Sequence, residues 1–125
     1  MYEFDNCGQG IDLLPWTWRA ILEIAHNYGW KPAGTEDPEF DKPPNGQWDG
    51  NYLEGALQKV KYQDAINLGN TLEKAVLDIF SGSYKTKHLS RKLKLKLKEL
   101  EKVEGHKNLV QYVCFFKQGH FTIWR

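Results

Sequence analysis

The sequence predicts a mainly α fold: a single domain over residues 1–125, with four helices, a long aromatic loop and a minor β element. Three observations predict it. Apolar residues recur at spacings of three and four in two long stretches, the pattern of a helix with one buried face. A third stretch is built from Leu, Lys and Glu, all good helix formers, with no β-branched residue between Lys87 and Val103. Finally, 125 residues with 41% apolar and 26% charged side chains make an ordinary globular domain that needs no staple to fold.

The first helix is expected at about 15–28, where Pro15 suits the first helical position and Trp18, Ile21, Leu22, Ala25 and Tyr28 form one stripe. Gly29 supplies a C-terminal cap. Residues 30–56 read as a long loop, punctuated by Pro32, Pro38, Pro43, Pro44, Gly34, Gly46, Gly50 and Gly55. Trp30, Phe40, Trp48, Tyr52 and Leu53 are spread through it and argue for packing against the body, and Asn45-Gly46 and Asp49-Gly50 allow a short hairpin from Gln47 to Tyr52. A second helix is expected at about 62–80, with Asp64 near its positive end, Leu68, Leu72, Val76 and Ile79 on its apolar face, and Gly69 inside it for close packing.

The third helix, about 86–104, contains Leu93-Lys94-Leu95-Lys96-Leu97, whose strict alternation is also a strand pattern. Leu89, Leu93, Leu97 and Leu100 recur at four, four and three, which favours helix and turns Leu95 away from the main stripe. Gly105 closes this segment; Leu109, Val110, Val113, Cys114 and Phe116 make a fourth helix at about 107–118, and His120 to Trp124 alternate as a last strand. Trp18, Trp30 and Trp124 read as core anchors and Cys114 as a small buried thiol.

Net charge is +1, but it is unevenly placed: residues 1–80 hold 6 Lys/Arg against 13 Asp/Glu, and residues 81–125 hold 11 against 3. Such a split means either an acidic face meeting a basic one within the fold or a charged surface for an outside partner. Two distant cysteines, Cys7 and Cys114, read as free thiols in a reducing compartment. No apolar run reaches the ~18 residues of a membrane span, and the acidic start Met1-Tyr2-Glu3-Phe4-Asp5 lacks signal-peptide regions, so the cytoplasm is the expected location.

The residues that could carry chemistry do not fall into reactive spacings. Cys7, His26, His88, His106, Cys114 and His120 form no metal-binding pair, and neither a nucleophile elbow nor a phosphate-binding glycine motif is present, so no enzyme, metal or cofactor is expected. Glu36, Asp37, Glu39 and Asp41 crowd one proline-interrupted loop, which reads as a solvated acidic surface rather than an acid–base pair. The densest feature is basic: Lys85, Lys87, Arg91, Lys92, Lys94, Lys96 and Lys98 place seven cations in fourteen residues.

Tyr28-Gly29-Trp30-Lys31-Pro32-Ala33-Gly34-Thr35, Trp48-Asp49-Gly50-Asn51-Tyr52, the stretch from Asp64 to Ile79 and the ending Phe116 to Trp124 together resemble a group of small bacterial proteins of unknown function. The resemblance spans most of the chain and implies a single bacterial domain; its motifs are structural and imply no activity. The chain departs from it in the dense basic run and at Gly119-His120-Phe121, where the group tends to have two glycines. The expected function is a non-enzymatic interaction domain, immunity-type or regulatory, with a protein partner met by Trp48, Asp49, Asn51 and Tyr52. Two alternatives are nonspecific nucleic-acid binding through residues 85–98, with Arg91, Lys94 and Lys98 in contact, and a small-molecule site in the aromatic loop 30–52.

Overall fold

The N-terminal residues alternate apolar and polar: Tyr2 and Phe4 with Glu3 and Asp5, then Ile11 and Leu13 with Gly10 and Asp12. That period of two makes them a strand pair, and it opens a five-stranded antiparallel sheet. The computed structural model describes residues 1–6, 9–36, 51–53 and 56–124. Within them the order is β1 (Tyr2–Asn6), β2 (Gln9–Leu13), α1 (Pro15–Asn27), β3 (Thr35–Glu36), β4 (Ala56–Val60), α2 (Tyr62–Ser81), a short 3-10 turn (Ser83–Lys85), α3 (Arg91–Lys117) and β5 (Phe121–Trp124). The fold is therefore a sheet with three helices, not the mainly α, four-helix domain expected from periodicity, and its β part is not minor.

The sheet order is β2-β1-β5-β4-β3, so the C-terminal strand sits at the centre between the N-terminal strand and β4. Phe4 faces Ile11 on one side and Ile123 on the other, and Val60 faces Phe121. These apolar residues share the buried face of the sheet. Trp18 of α1 and Phe116 of α3 meet that face through Phe4, and among the described residues Glu3, Asp5, Asp12 and Trp124 on the other face are exposed. A bulge at Leu57, whose φ is 59°, shifts the β4–β5 register between Ala56 and Gln58 and turns Gln58 into the core. There it accepts a hydrogen bond from Thr35 Oγ1 at 2.8 Å. The predicted loop 30–56 thus holds β3 and the start of β4; the hairpin expected from Gln47 lies outside the described residues up to Gly50, and Tyr52 and Leu53 form a turn.

Helices α1 and α2 form where the sequence places them. Pro15 opens α1 at its first position. Gly82 ends α2 in the left-handed region, φ 74°. The Leu-Lys alternation is helical, because Ser90 caps α3 by accepting from the Leu93 amide at 3.1 Å and because Leu93, Leu97 and Leu100 share a buried stripe. Leu95 is 56% exposed, on the far side. The cap at Ser90 also explains why the helix starts at Arg91 rather than 86. Gly105, at φ 76° and ψ 169°, breaks α3 into two arms, so the expected helices 86–104 and 107–118 are one element with a break that glycine accommodates. Among the described residues no helix is long and apolar enough to cross a membrane.

Aromatic rings join the layers. Trp18 of α1 lies edge-on to Phe4 of β1 at 4.7 Å and also meets Phe116 of α3 and Phe121 of β5, at 5.9 and 6.4 Å. Trp30 is buried as expected, but Trp124 is 44% exposed because it occupies an outward position of β5. Cys114 is likewise exposed rather than a buried thiol. The expected close packing at Gly69 is present: a Cβ there would stand 3.0 Å from the Lys117 nitrogen and 3.2 Å from Phe116 Cβ.

Gly69→Ala sets a gain in helix propensity of about 1 kcal/mol against overpacking of about 1–3 kcal/mol. Net destabilisation is expected, read as a lower melting temperature; a higher one would show that the α2–α3 contact yields freely.

Candidate functional site

The buried carboxylates are the first candidates for chemistry, and each is occupied in holding the fold. Asp64, 2% exposed in the first turn of α2, accepts from Trp30 Nε1 at 2.9 Å and from Tyr52 Oη at 2.5 Å. Tyr52 Oη also accepts from the Gly34 amide at 3.0 Å, and the Tyr52 carbonyl accepts from Trp18 Nε1 at 2.8 Å. Tyr2 Oη donates to the Leu53 carbonyl at 2.7 Å, and the Asn51 amide donates to Thr35 Oγ1 at 2.7 Å. Residues 51–53 are thereby pinned to strand, helix and turn at once.

Asp78, near the end of α2, accepts from Tyr28 Oη (2.7 Å), Ser83 Oγ (3.0 Å) and Lys87 Nζ (2.8 Å). Burial alone would raise the Asp78 pKa, but the hydrogen bonds from Lys87, Tyr28 and Ser83 and the charge of Lys87 outweigh it and hold the carboxyl below the usual carboxylate range. Burial, then the hydrogen bond to Asp78 and its negative charge, push the Tyr28 phenol well above its ordinary value. Glu104, beside the break in α3, accepts from Thr17 Oγ1 (2.6 Å) on α1 and from Tyr112 Oη (2.7 Å) on the second arm. Burial and Glu104 likewise push the Tyr112 phenol up. These three sites clip elements together, and their geometry offers no carboxylate pair to a substrate. Among the described residues no group of three His, Cys, Asp or Glu could hold a metal ion.

Of the predicted contact residues Trp48, Asp49, Asn51 and Tyr52, the last two are among the described residues. Trp48 and Asp49 lie outside the described residues, as do Asp37, Glu39 and Asp41 of the acidic loop. Asn51 and Tyr52 are buried, 4% and 1% exposed, so they are not the surface contacts expected; Tyr52 is a core ring against Trp30 and the hydrogen-bond partner of Asp64. With Tyr52 committed to the core, the described part of the loop retains no open aromatic site built on it. Arg91, Lys94 and Lys98 do fall on one side of α3, together with Leu95 and Lys102. Within the basic run, however, Lys87 pairs with Asp78, Lys96 with Glu23, and Lys94 Nζ donates to the Lys85 carbonyl at 3.3 Å.

The surface that sequence reasoning missed is the open face of the sheet. Side chains that alternate with the buried ones stand on it: Glu3 and Asp5 of β1, Asp12 of β2, Thr122 and Trp124 of β5, Lys59 of β4 and Glu36 of β3. Glu3 is directly opposite Asp12 on one side and Trp124 on the other. Asp5 is opposite Gly10 and Thr122, and Lys59 is opposite Glu36. The β3–β4 end is thus balanced in charge, while the β1–β2 end is acidic around an exposed indole. The signal was present in the sequence as the alternation of residues 2–5 and 10–13, read with the alternation of 120–124. No protein-family model, curated protein or solved structure matches the chain.

Asp78→Asn is expected to destabilise the fold by about 1–3 kcal/mol at neutral pH, because Lys87 and Tyr28 lose a charged acceptor. The unfolded chain takes up the Asp78 proton first on acidification. The difference between wild type and variant is therefore full above the usual carboxylate range and shrinks as pH falls through it toward the lower folded value. Urea unfolding across that range checks this; a difference that stays constant into acid would contradict it.

Proposed function

We propose that this chain is a non-enzymatic protein-binding domain of the cytoplasm, immunity-type or regulatory, that docks a basic partner on the open face of its sheet. One observation carries the reading: Glu3 and Asp12 stand directly opposite each other, beside Asp5, with the half-exposed Trp124 as the next neighbour across β5. Like charges directly opposite on a sheet cost stability, and a cationic partner relieves that cost. A tryptophan set among charges is a favoured anchor at interfaces, and the surrounding carboxylates steer a basic partner to it.

A second reading, nucleic-acid binding, is favoured by the exposed stripe of Arg91, Lys98 and Lys102 on α3. The internal engagement of Lys87, Lys94 and Lys96 reduces the charge it can offer and places it second.

Asp12→Lys separates these readings. It converts a repulsive pair into an attractive one, so the free domain is expected to gain about 0.2–1 kcal/mol. In a pull-down from the source cell's lysate with a salt gradient, the same variant should release its protein partner at lower salt than wild type does, and Trp124→Ala should release it too. A partner held equally by wild type and Asp12→Lys would overturn the sheet-face reading. Bound material lost on nuclease treatment, and lost again in Lys94→Glu with Lys98→Glu, would move the function to α3.

A further inference from the structure

We infer that the edge strand β2 is a docking edge for an extended segment of the basic partner, which adds to the sheet as a sixth strand with alternating cationic and short apolar residues. This rests on the sheet-face reading and specifies how that face is used. Among the described residues β2 stands at the end of the sheet, with β1 on one side only. Alternate residues of an antiparallel edge strand aim their N–H and C=O groups outward. Among the described residues, no hydrogen bond outside the β1 pairing reaches the backbone of Gln9–Leu13.

β2 carries no proline and no lysine to block pairing, and its charged side chain is Asp12, which leaves the edge open to a cationic strand. Gly10 is exposed, and a Cβ there would stand 3.2 Å from the Phe4 carbonyl oxygen, so this glycine serves the close approach of β1 to β2. Beside the edge runs a groove of about 330 Å³ between β2 and the second arm of α3, where Ile11, Cys114 and Phe115 lie among Gln9, Gln111 and Gln118. A strand laid along five residues covers about 17 Å. Its side chains alternate between the two faces. Those on the helix side meet Ile11, Cys114 and Phe115, which suits short apolar residues. Those on the open side stand beside Asp12 and near Glu3 and Asp5, which suits lysine or arginine.

The same charges select against a second copy of this chain. Residues 1–13 contain Glu3, Asp5 and Asp12 and no lysine or arginine, so pairing two β2 edges gathers carboxylates with no cation to balance them. Charge complementarity therefore points to a foreign basic strand.

The test is a nuclear magnetic resonance titration of the full chain with a capped hexapeptide of alternating lysine and valine. Two N-methylated forms of the same peptide go alongside, one methylated at the odd and one at the even positions. In strand addition one set of peptide N–H groups faces β2 and the other faces solvent. The expected result is shifts at Gln9–Leu13 and Cys114–Phe115, with one methylated form about tenfold weaker and the other unchanged. Asp12→Lys should weaken all three peptides.

Equal binding of both methylated forms, with shifts centred on Trp124 and Lys59, would overturn strand addition and leave the sheet-face reading standing. No binding of the unmethylated peptide at about 1 mM would also overturn it, with the lysate pull-down deciding the face independently. Self-association of the chain through Gln9–Leu13 would assign the edge to a second copy and overturn the basic-strand assignment.

Discussion

The burial of Trp18 is the constraint on which the rest of the structure depends. Its ring stands between Phe4 of the sheet and Phe116 of α3 and reaches Phe121 on the central strand, while its indole nitrogen donates to the Tyr52 carbonyl. Four separate stretches of chain are thus referred to one side chain. Once it fills the inner face, strand alternation leaves no freedom: Tyr2, Phe4, Ile123 and Phe121 turn in, and Glu3, Asp5, Trp124 and Thr122 turn out. The charged open face is a direct consequence of how the core is closed. A second layer of constraint, Asp64 with Trp30 and Tyr52, anchors residues 51–53 against that core by hydrogen bonds and by the edge-on contact of the two rings. Buried polar groups of this kind are costly unless fully partnered, and no buried side-chain nitrogen or oxygen among the described residues lacks a partner.

The uneven charge of the chain resolves into two parts. Lys87, Lys96 and Lys117, from the basic C-terminal portion, pair with Asp78, Glu23 and Glu73 of the acidic N-terminal portion. Part of the split is therefore spent inside the fold, holding α3 to α1 and α2. The Lys117–Glu73 pair is exposed on both sides and contributes little, whereas Asp78 is buried and its pairing with Lys87 counts for more. Among the charges outside these pairs, Glu3, Asp5 and Asp12 gather at the β1–β2 end of the sheet, and Arg91, Lys98 and Lys102 share one side of α3.

The helices were legible in the sequence, and of the sheet only the last strand was, expected at His120–Trp124 and found at Phe121–Trp124. Helices α1 and α2 announce themselves within one window each, through spacing, Pro15 and the cap at Gly82. The sheet is nonlocal: β5 pairs with strands more than fifty residues away in sequence on both sides, and β3 is two residues long. In β4 the bulge at Leu57 breaks the alternation that would have revealed it. The β1–β2 pair did carry a readable period of two, but its strands are five residues each and offer little against a background of long helical patterns. The candidate site follows the same logic. Asn51 and Tyr52 read as loop residues by composition and are core residues by hydrogen bonding. Trp124 read as core and is the exposed indole of the open face, because the face a strand residue takes depends on register and not on its size.

The central claim is that the open, acidic face of the sheet is where this domain meets its partner. Carboxyl footprinting of the chain in its source cell's lysate, read residue by residue by mass spectrometry, tests it most directly. Protection of Glu3, Asp5 and Asp12 relative to the purified chain, reversed by salt, with Glu99 and Glu101 on α3 unchanged, is the result predicted. Unaltered labelling of the three sheet carboxylates, or protection confined to α3, would contradict it.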